Sequence, residues 1–192
     1  MGLDTLFYKA AKQSSSMGDE KFDFCGSCTD CCRNFGEKGF PLYPKEFRRY
    51  EELAKTRGLR FSHTLRADIS DSKTNVNIVE EYRITTRPCV FLGVGCTIYE
   101  DRPLICRAYP YHITDTLGFG TCPNLDRFKG QAKFDLIDDP QMKAAQSCLD
   151  IGKENARRLM ELHHAGKIAL GPAIPDAKFV DIDVFLRQWD NP

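Results

Sequence analysis

The chain has 192 residues, of which 42% are hydrophobic and 28% charged, so it is long enough to bury a core of its own. Lys plus Arg and Asp plus Glu both number 27, and this formal charge of zero argues against a protein held to nucleic acid or to a membrane by overall charge. No apolar run approaches the ~20 residues of a membrane-spanning helix, and Asp4 stands where a secretory signal would be basic. We therefore expect a cytoplasmic protein with no nucleic-acid or membrane partner.

Two helices are predicted in the first third of the chain. Apolar residues at helical spacing predict a short helix over residues 3–13, followed by the polar linker "QSSSMGDE". A second helix is expected to begin at Pro44 and to end at Gly58. Its apolar stripe consists of Phe47, Tyr50, Leu53 and Ala54. We expect this helix to pack on the cysteine-rich loop that precedes it.

The middle of the chain is predicted to alternate loops and strands. Residues 68–77 have the polar composition of an exposed loop, whereas "VEEYRITTRPCVFL" has that of a strand, with Pro88 at an edge or an end. "GVG" then predicts a turn, and "CTIYE" could return as a second strand. Pro103 is expected to open a short helical turn that carries Cys106.

The last third is predicted to be mainly helical. Asp139 and Pro140 form a cap and first-turn pair for a long helix that runs to about His164 and ends at Gly166. In the tail "KFVDIDVFLRQW", alternation favours a strand, while Asp181 could cap a short helix. We expect one domain over residues 1–192, with a cysteine-cluster core at 25–122 and a helical and C-terminal extension at 139–192.

The nine cysteines carry the strongest chemical signal in the sequence. Disulfides are rare in the cytosol, and closely spaced cysteines in a cytosolic chain indicate metal binding or redox work. Eight of the nine fall into two groups, Cys25, Cys28, Cys31 and Cys32 upstream and Cys89, Cys96, Cys106 and Cys122 downstream. The ninth, Cys148, lies alone on the predicted long helix, where a cysteine is more often a small buried hydrophobe than a ligand.

The upstream group is incomplete by itself. Adjacent side chains such as Cys31 and Cys32 diverge by about 100° on a helix and point to opposite sides of an extended chain. Both are therefore poorly placed to share one tetrahedral ion. The group is expected to serve more than one centre, or one polynuclear centre, and to need the downstream cysteines.

The spacing favours iron–sulfur over zinc as the bound group. Cys25, Cys28 and Cys31 reproduce the Cys-x2-Cys-x2-Cys start of a ferredoxin loop, whereas structural zinc usually lies between two separate knuckles. The downstream spacings match neither pattern, so zinc stays open as the alternative. A set of idle reduced thiols is a further alternative, and a dithiol exchange pair at Cys25 and Cys28 would explain only two of the eight.

Other residues near the cysteines are candidates for supporting roles. Arg102 and Arg107 lie within four residues of Cys106 and are expected to donate hydrogen bonds to cluster sulfurs or to nearby backbone, as residues that assist cofactor binding without ligating it. His112 is the best non-cysteine ligand candidate, although a core or surface histidine is the more frequent reading. Aromatic residues are dense here and are expected to limit solvent access.

The two halves of the pattern resemble a known family. "CGSCTDCC", followed by "PCVFLGVGCTIYEDRPLICRAYPY", is similar to the CxxCxxCC (YkgJ-like) cysteine-cluster family of zinc- or iron-chelating domains, over roughly residues 25–122. The resemblance implies that the eight clustered cysteines are ligands and that Arg102, Pro103 and Arg107 are family-patterned neighbours. A related cluster occurs in flagellin lysine methylases, yet this chain has no glycine-rich strand–loop–helix for S-adenosylmethionine.

Three functions follow from these patterns. The first is a protein that holds one or two iron–sulfur clusters with eight cysteines, in electron transfer or in support of a protein partner's redox chemistry. The second is a zinc-binding structural or assembly module, and the third is a methylase-like enzyme. The sequence leaves open whether the chain is an enzyme. The expected fold is a small, irregular, cysteine-rich α+β domain, with loops around the metals and helices packed outside.

Overall fold

The structure, a computed structural model, describes residues 29–33, 35–109, 111–113, 117–119 and 140–190. For residues 111–113 and 117–119 it describes the backbone only. The predicted helix at 3–13 and the linker after it lie outside these residues, as do Cys25, Cys28, Cys122 and Asp139. Helices and small sheets both occur, which confirms the α+β class.

The described helices and strands are short apart from two helices. The helices are α1 (Asp30–Arg33), α2 (Pro44–Thr56), α3 (Leu104–Ala108), α4 (Pro140–His164) and α5 (Ile182–Arg187), with a 3₁₀ helix at Tyr99–Asp101. The strands are β1 (Phe40–Leu42), β2 (His63–Arg66), β3 (Ile69–Asp71), β4 (Val76–Val79), β5 (Glu81–Ile84), β6 (Tyr111–Ile113), β7 (Leu117–Phe119), β8 (Leu170–Pro172) and β9 (Lys178–Asp181).

Helix α2 confirms its prediction at both ends. Pro44 occupies the first turn, where its missing N–H is not needed, and Gly58 ends the helix with φ +67°. Phe47, Tyr50 and Ala54 are buried, and Leu53 packs partly buried against the same cluster. The apolar stripe of α2 therefore faces the core, against which Cys89, Cys96 and Cys106 also pack.

Two of the sheets follow each other directly along the chain. The first sheet has the strand order β1-β5-β2, all antiparallel, and the second has the order β8-β3-β4-β9. Strands β4 and β5 are separated only by Glu80, so the chain passes directly from the second sheet into the first. In the second sheet, β8 is antiparallel to β3 and β9 is parallel to β4. The division into a core and an extension stays a prediction, but strands from both ranges pair here.

The prediction of an exposed loop at residues 68–77 is right only for residues 72–75, which form an exposed turn. Strands β3 and β4 flank this turn as a hairpin, with Asn75 at φ 54°. The polar residues Ser70, Asp71 and Asn77 are instead buried and hydrogen-bonded. The Asp71 carboxylate, which is fully buried, accepts hydrogen bonds from the backbone N–H groups of Lys73 and Ala169 and from the Thr74 hydroxyl.

The predicted strand pair at 79–92 and 96–100 is right only in part. Strand β5 ends at Ile84, before Pro88, and a single bridge joins Leu92 to Cys96. Beyond that bridge the chain enters the 3₁₀ helix instead of a strand. The reason is local: the backbone N–H and the hydroxyl of Thr97 both donate to the carbonyl of Phe91, which closes a tight loop.

The C-terminal helix and strand predictions are confirmed, but Asp181 has a different role from the one expected. Helix α4 runs from Pro140 to His164, and Gly166 follows it at φ +66°. The ambiguous tail is a strand and then a helix, since β9 leads directly into α5 at Asp181. The Asp181 carboxylate does not cap α5. It accepts a hydrogen bond from the Tyr82 hydroxyl (2.8 Å) and pairs with Arg48.

Most of the buried hydrophobic side chains among the described residues form three clusters. The first, which we call the aromatic cluster, contains Phe40, Leu42, Phe47, Tyr50, Ala54, Ile84, Phe91 and Ile98. The second, the aliphatic cluster, contains Ile78, Leu159, Ile168, Ile182, Phe185 and Leu186. A small third cluster surrounds Cys148 between α3 and α4. Within the described residues, no helix is both long enough and apolar enough to cross a membrane.

Candidate metal centre

Both cysteine stretches are brought together by a direct backbone contact. Cys31 and Cys32 lie on α1, a single turn held by hydrogen bonds to the carbonyl of Thr29. The carbonyl of Cys32 accepts a hydrogen bond from the backbone N–H of Cys89 at 2.8 Å. The upstream and downstream groups therefore meet, although 57 positions separate these two residues in the chain.

The downstream cysteines are placed by the loop and by α3. The bridge between Leu92 and Cys96 closes the loop that begins at Cys89. Cys106 lies on α3, the helical turn predicted after Pro103. Cys89, Cys96 and Cys106 are half-buried and pack against the aromatic cluster. All six described cysteines are free thiols.

The adjacent pair on α1 has strongly unequal acidity. A hydrogen bond from the Cys32 thiol lowers the pKa of Cys31 to about 7, and the charge of Arg102 acts in the same direction. The same hydrogen bond, burial and the charges of Cys31, Cys89 and Cys106 raise the pKa of Cys32. The exposed Cys31 is thus the sulfur that is most readily deprotonated in this pair.

The pKa values of the downstream thiols are also set by burial and by the charges of neighbouring cysteines. Burial is the main cause that raises the pKa of Cys106 well above its ordinary value, and the charges of Cys31, Cys89 and Cys96 add to it. Burial also raises the pKa of Cys96, against a hydrogen bond from the backbone N–H of Ile98. Five sulfurs from both stretches are therefore close enough to oppose one another's ionisation. A bound cation would reverse this opposition.

The donor set fits zinc and iron equally in its chemistry. Thiolate sulfur is a ligand for zinc and for iron–sulfur clusters alike. Among the described residues, however, no group of three or more His, Cys, Asp or Glu side chains is positioned to hold one ion. Three of the eight predicted ligands, Cys25, Cys28 and Cys122, lie outside those residues. The assignment of ligands to the eight cysteines therefore stays a prediction.

Cys148 lies in a separate, apolar environment. It is buried with Ala108, Ala144 and Ala145 between α3 and α4. Burial raises the pKa of its thiol to about 12, with a contribution from the charge of Glu46. This environment is that of a small core residue, as the sequence predicted.

The two predicted supporting arginines have different surroundings. The Nε–H of Arg102 donates to the carbonyl of Tyr99 (2.8 Å), and its guanidinium lies 3.5 Å from the centre of the Tyr99 ring. Its charge lowers the pKa values of Cys31 and Cys96. Arg107 interacts instead with Glu46, and burial lowers the pKa of its guanidinium. Arg102 thus matches the predicted role beside the cysteines more closely than Arg107.

Sequence reasoning missed two residues of α2 that reach the centre. The Tyr50 hydroxyl lies 3.5 Å from the Cys89 sulfur. The Glu46 carboxylate accepts a hydrogen bond from the backbone N–H of Leu104 at the start of α3, the helix that carries Cys106. Glu46 also interacts with the backbone of Tyr43 at the start of α2. Its position in the first turn signals the local cap, but the contact with Leu104 depends on tertiary structure.

The aromatic side chains pack edge to face beside the cysteines. Phe40 contacts both Phe35 and Tyr50, and Tyr50 in turn contacts Phe91, with ring centroids 4.8–5.8 Å apart. This packing forms the predicted apolar wall on one side of the centre. His112, the alternative ligand candidate, lies in β6, where only its backbone is described.

Comparison with known proteins identifies the family. A family described as "CxxCxxCC: Putative zinc- or iron-chelating domain" matches residues 24–148, which is more than half of the chain. The protein therefore belongs to the CxxCxxCC family. That description supports metal binding by this domain and is compatible with both zinc and iron. No curated protein and no solved structure matches the chain.

Proposed function

We propose that this protein binds one or two iron–sulfur clusters through its eight clustered cysteines. Its role would be electron transfer, or support of the redox chemistry of a protein partner. The single observation that carries the proposal is the meeting of the two cysteine stretches, joined by the hydrogen bond from Cys89 N–H to the Cys32 carbonyl. Idle thiols need no such convergence, whereas a metal centre does.

Two features favour iron–sulfur over zinc. The first is the Cys-x2-Cys-x2-Cys spacing at Cys25, Cys28 and Cys31, which is typical of ferredoxin loops. The second is the surroundings of the sulfurs. The Ile98 N–H directed at Cys96 and the apolar wall around Phe91 are both means by which proteins set the potential of a cluster.

A bound iron–sulfur cluster supplies one-electron transfer, and the chain's own residues control access to it. The guanidinium of Arg102 offsets part of the negative charge of the thiolates, as its effect on Cys31 and Cys96 indicates. The aromatic wall limits solvent on one side. Cys31 is exposed on the other side, and this face is where a protein partner would approach.

Colour and composition test the proposal. Protein purified without oxygen should be brown, absorb near ~400 nm and contain iron and acid-labile sulfide. Addition of dithionite should bleach the band as the clusters are reduced. A colourless preparation without iron or sulfide would contradict the proposal.

A zinc module is the second candidate, because the family's description names zinc as well as iron. In that case the protein would be colourless, and zinc would be present in stoichiometric amounts under the same anaerobic conditions. The eight cysteines would then stabilise the fold and a binding surface, with no redox activity. The two candidates differ in sulfide content, which only the first requires.

A further inference from the structure

A small pocket near the cysteines is lined by three arginines. It lies between α2 on one side and the 3₁₀ helix and α3 on the other. Its charged lining residues are Arg49, Arg102, Arg107, Glu46 and Asp101. Three guanidinium groups face two carboxyl groups, and burial raises the pKa of the Glu46 carboxyl, so the lining is cationic overall.

The volume of the pocket limits what it can hold. It encloses about 50 Å³, which is room for roughly three to five water molecules, since one water needs ~10–15 Å³ by this measure. Whole drug-sized ligands occupy cavities of several hundred Å³. The pocket therefore suits a single functional group, with the remainder of its ligand outside.

One of the arginines that line the pocket has a buried donor without a partner. The Nε–H of Arg107 is buried and has no hydrogen-bond partner among the described residues. A buried donor of this kind is costly to leave unsatisfied. Glu46 interacts with Arg107 through its charge and accepts hydrogen bonds at the starts of both α2 and α3, but it makes no hydrogen bond to this Nε–H. An added anion would satisfy Arg107.

The other two arginines are held in position around the same space. Arg102 is fixed by its hydrogen bond to Tyr99 and by stacking on that ring. Arg49 lies at the mouth, 52% exposed, where it pairs with the 48% exposed Asp101. Asp101 is thus a carboxylate from the chain itself that occupies the outermost guanidinium. A ligand carboxylate would compete with it for Arg49.

We propose that this pocket is a binding site for the carboxylate group of a small organic acid. A guanidinium pairs with a planar carboxylate through two parallel hydrogen bonds, and Arg49 already pairs with the carboxylate of Asp101. The site rests on α2, the 3₁₀ helix and α3 and does not depend on which metal the cysteines bind.

The location connects the pocket to the metal centre. Tyr50 lines the pocket and contacts the Cys89 sulfur, and Arg102 lines it while its charge acts on Cys31. The Tyr50 side chain thus lies between the pocket and the Cys89 sulfur, and the rest of a bound ligand would leave through the mouth at Arg49 and Asp101.

Saturation-transfer NMR with propionate tests the site in the metal-bound protein at constant ionic strength. Propionate should bind at one site in the wild type, and an equal concentration of inorganic phosphate should not displace it. Arg49→Met and Arg107→Met should each weaken binding about tenfold, as expected for the loss of a charge-assisted hydrogen bond. Arg157→Met, a change on the exposed face of α4, should leave binding unchanged.

Asp101→Asn separates binding from damage to the fold. This variant removes the internal competitor for Arg49 and should tighten propionate binding several-fold, an effect that misfolding cannot produce. Absence of propionate binding in the wild type would overturn the proposal, as would equal binding by the wild type, Arg49→Met and Asp101→Asn. Displacement of propionate by an equal concentration of inorganic phosphate would overturn the assignment to carboxylates.

Discussion

The aromatic and aliphatic clusters are stabilised in different ways. The aromatic cluster has Cys89, Cys96 and Cys106 packed along one side, so part of its boundary consists of sulfurs that oppose one another's ionisation. The aliphatic cluster has no cysteine among its described members and is covered by a four-stranded sheet, α4 and α5. We therefore predict that the first region depends on a bound metal for stability, whereas the second is stabilised by packing and backbone pairing.

Removal of the metal should therefore affect the two regions unequally, and this is the largest effect we expect. Metal binding contributes on the order of 10 kcal/mol in small structural sites. After chelation, amide hydrogen exchange in the loop around Cys89 and in α3 should accelerate about a hundredfold or more. Exchange in β3, β4, β8 and β9 should change little. Equal acceleration in both regions, measured by mass spectrometry, would refute the comparison.

Single cysteine replacements should distinguish the clustered cysteines from Cys148. Cys31→Ser and Cys32→Ser should each lower the metal content of the purified protein, because each removes a predicted ligand. Cys148→Ser is the matched control, since that thiol lies among alanines away from the other sulfurs. Metal analysis by mass spectrometry provides the readout. Equal losses in all three variants would show that Cys148 is also a ligand.

In the second region, Asp71→Ala should lower the free energy of unfolding and leave the metal content unchanged. It deprives two backbone N–H groups and the Thr74 hydroxyl of a buried charged acceptor, and we expect a loss of about 3 kcal/mol in the free energy of unfolding. Asp68→Ala is the control, because Asp68 forms an exposed pair with Arg66 and such pairs contribute about 0–1 kcal/mol. Urea unfolding measures both.

The pH dependence of Asp71 follows from its hydrogen bonds. Burial would raise the pKa of this carboxyl, but the hydrogen bonds from Ala169, Thr74 and Lys73 outweigh it, and the folded-state pKa is lowered. Its stabilising contribution is therefore present above the unfolded-state pKa of about 4 and is lost as the pH falls through the lower folded-state value. The difference in unfolding free energy between the wild type and Asp71→Asn should be constant from about pH 7 to 5 and shrink below about pH 4. A difference that grew on acidification would contradict this sign.

The smallest expected effect compares two tyrosines. Tyr50 places its hydroxyl at the Cys89 sulfur, whereas Tyr82 donates its hydroxyl hydrogen bond to Asp181. Each Tyr→Phe change should cost about 1 kcal/mol in stability. Only Tyr50→Phe should also shift the absorption spectrum or reduction potential of the metal centre. An equal spectral shift in Tyr82→Phe would show that the contact with Cys89 has no special effect.

Local signals in the sequence predicted most of the helices. Pro44, Gly58, Pro140 and Gly166 mark helix ends that are set by residues within one turn, so α2 and α4 were predictable. The hairpin of β3 and β4 was not, because its polar residues are satisfied by a segment about 100 positions later, at Ala169. Polarity predicts exposure only when the partner of the polar group is water.

The candidate site shows the same division between local and long-range information. The spacing of the cysteines predicted that the upstream group needs the downstream one, and the hydrogen bond between Cys89 and Cys32 joins the two stretches. The contacts of Tyr50 with Cys89 and of Glu46 with Leu104 join segments far apart in the chain. No periodicity in a single sequence reports such contacts. Asp181 is a further example, because its partners Arg48 and Tyr82 compete with its local role as a helix cap.

Differential alkylation of the cysteines tests most directly whether the two stretches form one centre. The protein is labelled with iodoacetamide before and after chelation, and each cysteine is quantified by peptide mass spectrometry. Joint metal binding predicts that chelation raises labelling in residues 25–32 and in residues 89–122 together, while Cys148 does not change. A rise confined to one of the two stretches, or no rise in either, would contradict a shared centre.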